Sequence, residues 1–175
     1  MAEDKSPWMN WMALTTVIMA VCATLATGKS GGFSTHAVLE QSQASDQWAY
    51  YQAKGVKENL NALEIERIHL RLDSEVLTVA EQRALTAYLQ KIEARKNKYA
   101  LQKKQISAKA LALEAERDKA QNKGKPFGQA TVILQIAIML SSIAGLLKKK
   151  WLWGVGVLTG IVGAVMFLNG FLLFL

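Results

Sequence analysis

Charged residues are missing from three long stretches of this chain and crowded into the segment between the first two. Residues 6–28, 126–147 and 151–175 contain no Asp, Glu, Lys or Arg. Each exceeds the roughly 20 apolar residues that carry an α-helix across the hydrocarbon layer. Lipid offers no water to peptide groups, so an isolated apolar segment crosses as a helix, whose backbone pairs internally. The pattern predicts an all-α protein with three transmembrane helices, at 6–28, 127–147 and 151–175. The start, Met-Ala-Glu-Asp-Lys-Ser-Pro, lacks the basic character of a cleavable signal, so the first span reads as an uncleaved anchor.

Between spans one and two the pattern changes to that of long, solvated helices. Gly28, Gly31 and Gly32 read as an interruption after the first span, with Ser34 or Thr35 capping a new helix. A turn is predicted near residues 73–79, because Thr78-Val79-Ala80-Glu81 matches the capping box that opens a helix. Gly124, Pro126 and Gly128 predict the end of that second helix at about Asn122. The expected element over 34–122 is a long antiparallel coiled-coil hairpin, about 60 Å from end to end at 1.5 Å per residue.

A seven-residue recurrence supports the hairpin. Val56, Leu63, Leu70 and Leu77 repeat on the first helix, and Leu85, Ile92, Tyr99, Ile106 and Leu113 on the second. The companion position is weak, holding Leu60 and Arg67 on one helix and Leu89, Lys96, Lys103 and Ala110 on the other. That favours an antiparallel pair with a narrow seam edged by Lys stems over a parallel zipper. A turn centred near Glu75 puts Tyr51 opposite Tyr99, with Trp48 and Tyr50 close by. These rings form a band that either fills the helix interface or offers a binding surface.

In the membrane part, Trp8, Trp11, Trp151 and Trp153 fall at span ends that three crossings place on one side, as an aromatic belt. Lys148-Lys149-Lys150 is the whole loop between spans two and three. By the positive-inside rule this loop and the N-terminus are cytoplasmic, and the hairpin and C-terminus lie on the periplasmic side. Lys29, Arg117, Lys119, Lys123 and Lys125 flank the spans on the hairpin side and weigh against that orientation. Ser142, Gly156, Gly160 and Gly163 supply small faces, with a GxxxG match at Gly156 to Gly160, for packing spans together or joining subunits. Gln135 and Asn169 are the amides of the last two spans and candidates for a pore lining.

Composition narrows the chemistry. The chain carries 21 Lys and Arg against 14 Asp and Glu, and residues 29–125 hold 17 of the basic and 12 of the acidic ones. Both signs are interspersed there, which predicts a solvated helical surface and no nucleic-acid partner. The single Cys22 excludes an internal disulfide. His36 and His69 stand about 50 Å apart at helical rise, too far to share a metal within one chain. No phosphate-binding, dinucleotide, zinc-protease or nucleophile-elbow motif occurs, so no catalytic, cofactor or metal residue is assigned and enzyme activity is not expected.

The segment Ser42-Gln43-Ala44-Ser45-Asp46-Gln47-Trp48-Ala49-Tyr50-Tyr51-Gln52-Ala53-Lys54, followed by Lys57, resembles the signature of an uncharacterised family of bacterial membrane proteins, domain of unknown function family 4337. The C-terminal stretch is similar as well: Leu134-Gln135-Ile136-Ala137-Ile138, Ser142-Ile143-Ala144, the basic loop, Trp151 to Trp153, and Gly160-Ile161-Val162-Gly163. The resemblance implies a bacterial membrane protein of this layout and no particular activity, and the expected location is the inner membrane. It raises Trp48, Tyr51, Gln52 and Lys54 as candidates for an interaction site, and the hairpin register adds Tyr99 as the ring opposite Tyr51.

The resulting expectation is a non-enzymatic, multi-pass homo-oligomer. It would contact membrane lipid and act as a scaffold, tether or accessory subunit, with a protein partner at its helical stalk. The alternative is a channel or transport component with a pore lined by spans two and three.

Overall fold

The computed structural model describes residues 7–74 and 76–172, and the secondary structure within them is entirely α-helical. Expectations placed on 1–6, 75 and 173–175 lie outside the described residues. These are the N-terminal flank, the Glu75 turn centre and the end of the third span. Helix α1 runs Pro7–Ser74, α2 Val79–Leu147 and α3 Lys150–Leu172. Each contains a stretch long and apolar enough to cross a membrane. The chain divides into two compact units, Met1–Val38 with Arg117–Leu175, and Leu39–Glu116.

Two expected helix ends are absent. The helix does not break at Gly28, Gly31 and Gly32; α1 passes through all three without a positive φ. Each glycine costs roughly 1 kcal/mol relative to alanine in a helix, yet no proline follows. Opening the backbone there would also leave peptide groups unpaired beside an apolar span. Likewise α2 does not stop at Asn122 but continues to Leu147 with Pro126 inside it. Gly28, Gly31 and Gly32 have open space around them, whereas Gly124 and Gly128 serve packing. A Cβ on Gly124 would lie 3.0 Å from Phe33 Cβ, and one on Gly128 would lie 3.3 Å from Ser30 Oγ. Four residues apart on one face, they let α2 close against α1, and that packing overrides the propensity signal.

In the first unit the two span-bearing segments of α1 and α2 run against each other. Met12 lies against Gly145, Met19 joins Leu134 and Ala137 in the apolar core, and Phe33 stacks on Phe127. Buried Ala23, Ala26, Ala130, Ala137, Ser141 and Ala144 keep these backbones close, since van der Waals packing drives helix association in lipid. Helix α3 packs back along α2, with Gly156 against Ala137 and Ser141, Gly163 against Leu134, and Gly170 against Phe127. Between α2 and α3, Lys148 takes φ 49°. Its N–H donates to the Gly145 carbonyl at 3.3 Å, and the Lys149 N–H to the Ala144 carbonyl at 3.1 Å. This is a Schellman closure that turns the chain in two residues.

In the second unit α1 ends at Ser74 and α2 begins at Val79 behind a reciprocal cap. The Thr78 N–H donates to Glu81 Oε2 at 2.8 Å, and the Glu81 N–H donates to Thr78 Oγ1 at 3.3 Å. The Thr78 hydrogen bonds hold the Glu81 carboxyl below the ordinary glutamate value. A depressed folded-state pKa contributes stability that is present above that ordinary value of 4.5 and is lost as pH falls through the lower folded one. A carboxyl-carbon NMR titration should therefore place the Glu81 midpoint below that of an exposed glutamate. Thr78→Ala should raise it back; an unshifted midpoint in the wild-type chain would contradict the cap.

The inner face of α1 differs from the expected one. Val56, Leu63 and Leu70 are 60, 62 and 64% exposed. Ala44 and Ile68 are buried, and Tyr51, Lys54, Glu58, Asn61 and Ile65 are half-buried. On α2 the expected face is the inner one: Ile92, Ile106 and Ala110 are buried, with Leu85, Tyr99, Lys103 and Leu113 half-buried. Helix α1 carries two seven-residue repeats, and the one with the polar and aromatic partners of α2 turns inward. A count of leucines cannot see that preference.

Candidate interaction surface

Four contacts join α1 to α2 in the unit Leu39–Glu116. Trp48 Nε1 donates to Glu114 Oε1 at 2.8 Å. Lys103 Nζ donates to Glu58 Oε2 at 3.0 Å and stands 4.8 Å from the centroid of the Tyr51 ring. Lys54 Nζ lies 4.9 Å from the Tyr50 centroid and 5.4 Å from that of Tyr99. Trp48 and Tyr51 meet edge to face at 5.5 Å and 75°. Trp48 pairs with Glu114 and Glu58 with Lys103, so between these two hydrogen bonds the partner's number on α2 falls as the number on α1 rises.

The expected meeting of Tyr51 with Tyr99 is therefore indirect. Lysine stems cross the seam and set their ammonium groups over the rings, an arrangement favoured by the negative ring face. The Glu58 hydrogen bond raises the Lys103 pKa above 10.5. A raised folded-state pKa contributes stability that is fully present below the ordinary lysine value and is lost only as pH rises through the folded one. The pair is thus constant through the neutral range.

The Trp48 contact makes a measurable demand. Removing its acceptor by Glu114→Ala leaves a half-buried indole N–H unpaired, and such an orphaned donor costs about 1–3 kcal/mol. Glu114→Gln retains an acceptor. Thermal unfolding of the full chain in detergent should place Glu114→Gln between wild type and Glu114→Ala; equal stability of all three would show the bond to be idle.

The sequence candidates thus separate into inward and outward groups. Trp48, Tyr51, Lys54 and Tyr99 belong to the seam, whereas Gln52 is exposed. Gln52 is next to an outward stripe of exposed Ala49, Ala53, Val56, Leu60, Leu63 and Leu70. In the other unit Gly156, Gly160 and Gly163 are buried against α1 or α2, and Asn169 is half-buried. Gln135 and Ser142 are exposed seven residues apart on α2, and the Ser142 hydroxyl donates to the Ile138 carbonyl at 2.9 Å. Trp8 and Trp153 meet at 6.4 Å, and Trp153 Nε1 donates to Thr15 Oγ1 at 3.2 Å.

Glu58 and Glu114 are not among the sequence candidates, and Lys103 is read there only as a stem at the seam edge. Their signal was present as charged residues falling on the seam side of a seven-residue repeat, where a solvated helix has no use for them. Among the described residues no three of His, Cys, Asp and Glu are placed to hold a metal ion. An apolar groove of about 200 Å³ runs beside Ile18, Met19, Cys22, Leu134, Val157 and Gly160.

Over residues 8–173 the chain matches a family described as "Domain of unknown function (DUF4337)". No curated protein and no solved structure matches it.

Proposed function

The chain belongs to the DUF4337 family, and from that membership and the faces just described we propose a non-enzymatic membrane protein that self-associates. It serves as a scaffold, tether or accessory subunit of a bacterial inner membrane. The unit Leu39–Glu116 is read as an antiparallel coiled-coil hairpin standing outside the bilayer, with the Lys148–Lys150 loop cytoplasmic. The observation that carries this reading is the outward stripe of Val56, Leu60, Leu63 and Leu70, each at least 60% exposed. Scattered exposed leucines are ordinary, but a contiguous apolar face on a solvated helix marks a protein contact. The seam beneath it is already filled by Trp48, Tyr51, Lys103 and their partners.

Mass photometry of the full chain in lipid nanodiscs tests the proposal. Two or more copies per disc are expected, and a monomer at every protein-to-lipid ratio would refute it.

A channel or transport component is the second reading, favoured by the outward Gln135. This residue is twelve positions from Leu147, or about 18 Å at helical rise, and an amide at that depth seeks a polar partner. Solute flux in proteoliposomes that is lost in Gln135→Leu would favour this reading over the first.

A further inference from the structure

We propose that the outward face of α1 in the unit Leu39–Glu116 pairs with the same face of a second copy of this chain, in a parallel two-stranded seam through Val56, Leu60, Leu63 and Leu70. The inference rests on the self-association reading and names the surface and direction of the contact.

The spacing is the first argument. Ala49, Ala53, Val56, Leu60, Leu63, Arg67 and Leu70 alternate steps of four and three, the pattern of a coiled-coil seam. All are exposed, although this helix already turns a different repeat toward α2. A helix with one seven-residue repeat filled and a second one open is built for two partners. The 3.5-residue period also specifies the second partner as a helix, because it keeps an apolar stripe facing a supercoiled neighbour.

Charge selects a copy of the same helix, running in the same direction. Beside the stripe, Glu66 lies on one flank and Arg71 on the other, five residues later, and both are exposed. In a parallel pair, residues five apart on opposite flanks meet across the seam. Glu66 of each copy then faces Arg71 of its mate, twice by symmetry. Arg67 interrupts the apolar run once, between Leu63 and Leu70, next to the acidic Glu66 flank. One charged seam residue lowers stability and fixes register. Direction follows from the same flank pair, because residues five apart on opposite flanks meet across the seam only when the two helices run parallel.

The test uses the full chain in native membranes with Cys22→Ala as background, because Cys22 is the only cysteine. Leu60→Cys and Leu63→Cys should each form disulfide-linked dimers on mild oxidation. Ala94→Cys, on the exposed face of α2, should not. In nanodiscs, the double variant Leu60→Glu with Leu63→Glu should weaken association by at least about tenfold while circular dichroism retains the wild-type helicity. If that variant fails to fold, the cysteine results decide alone.

An oligomeric wild type without Leu60 or Leu63 cross-links, or with a folded double variant that still associates fully, overturns this seam and leaves self-association standing. Cross-linking of Leu63→Cys to Ala94→Cys in place of Leu63 to Leu63 overturns it in favour of an α1-to-α2 contact. A monomeric wild type removes both the seam and the reading it rests on.

Discussion

Replacing Phe127 with alanine is expected to destabilise the span-bearing unit by about 3–5 kcal/mol, the range for truncating a buried aromatic side chain. Phe127 is 2% exposed and among the largest fully buried side chains. Its ring stacks on Phe33 at 6.0 Å and meets Phe167 and Phe171 edge to face at 6.0 and 5.1 Å. It therefore touches all three helices at once. A Cβ on Gly170 would lie 2.7 Å from two of its ring carbons, so the α3 backbone itself comes close to the ring. In lipid the gain from leaving water is small, and the loss is one of packing and ring contact. Thermal unfolding of the full chain in a mild detergent, followed by near-ultraviolet circular dichroism, should show a midpoint well below wild type. Phe127→Leu should restore part of the difference. A Phe127→Ala protein as stable as the wild type would mean that the ring cluster does not hold the three helices together.

The second large effect concerns how closely α3 approaches α2. A Cβ on Gly156 would lie 2.8 Å from Ser141 Oγ, 3.2 Å from the Ala137 carbonyl oxygen and 3.2 Å from the Ser141 nitrogen. Two of these atoms are backbone and cannot rotate away. Gly156→Leu must then push the helices apart, at a cost of about 1–3 kcal/mol or more for overpacking. Nearby glycines serve as controls. A Cβ on Gly160 meets the terminal atoms of Met19, which can swing aside, and one on Gly154 meets nothing within 4 Å. Unfolding midpoints in one detergent should rank Gly154→Leu above Gly160→Ala, and both above Gly156→Leu. A different order would show that α3 packs by another face.

The sequence by itself determined that this is a helical chain with three stretches able to cross a membrane. Absence of charge over more than 20 residues has few other physical outcomes. It also determined the start of α2, because the Thr78 and Glu81 cap is made by residues within one turn of each other. The face of α2 that turns toward α1 was legible too, since the other apolar repeat on that helix, Ala87, Ala94, Leu101, Ala108 and Ala115, is mostly alanine and has less surface to bury than Ile92, Ile106 and Leu113.

The tertiary structure alone decided whether glycine and proline end a helix. Gly124, Pro126 and Gly128 score as breakers in isolation, and only the nearness of Ser30 and Phe33 makes small residues favourable there. It alone chose between the two repeats of α1. Leucines dominate one and Tyr51, Lys54, Glu58 and Ile65 the other, and the second turns inward because Tyr99, Lys103 and Glu114 wait on α2 to pair with it. Paired ions and ring contacts act between residues 45 or more positions apart in the chain, a separation that hydrophobic periodicity does not sample. The same choice leaves Val56, Leu60, Leu63 and Leu70 outward. A stripe that looks from sequence like the interior of one hairpin is thus an exposed face of α1.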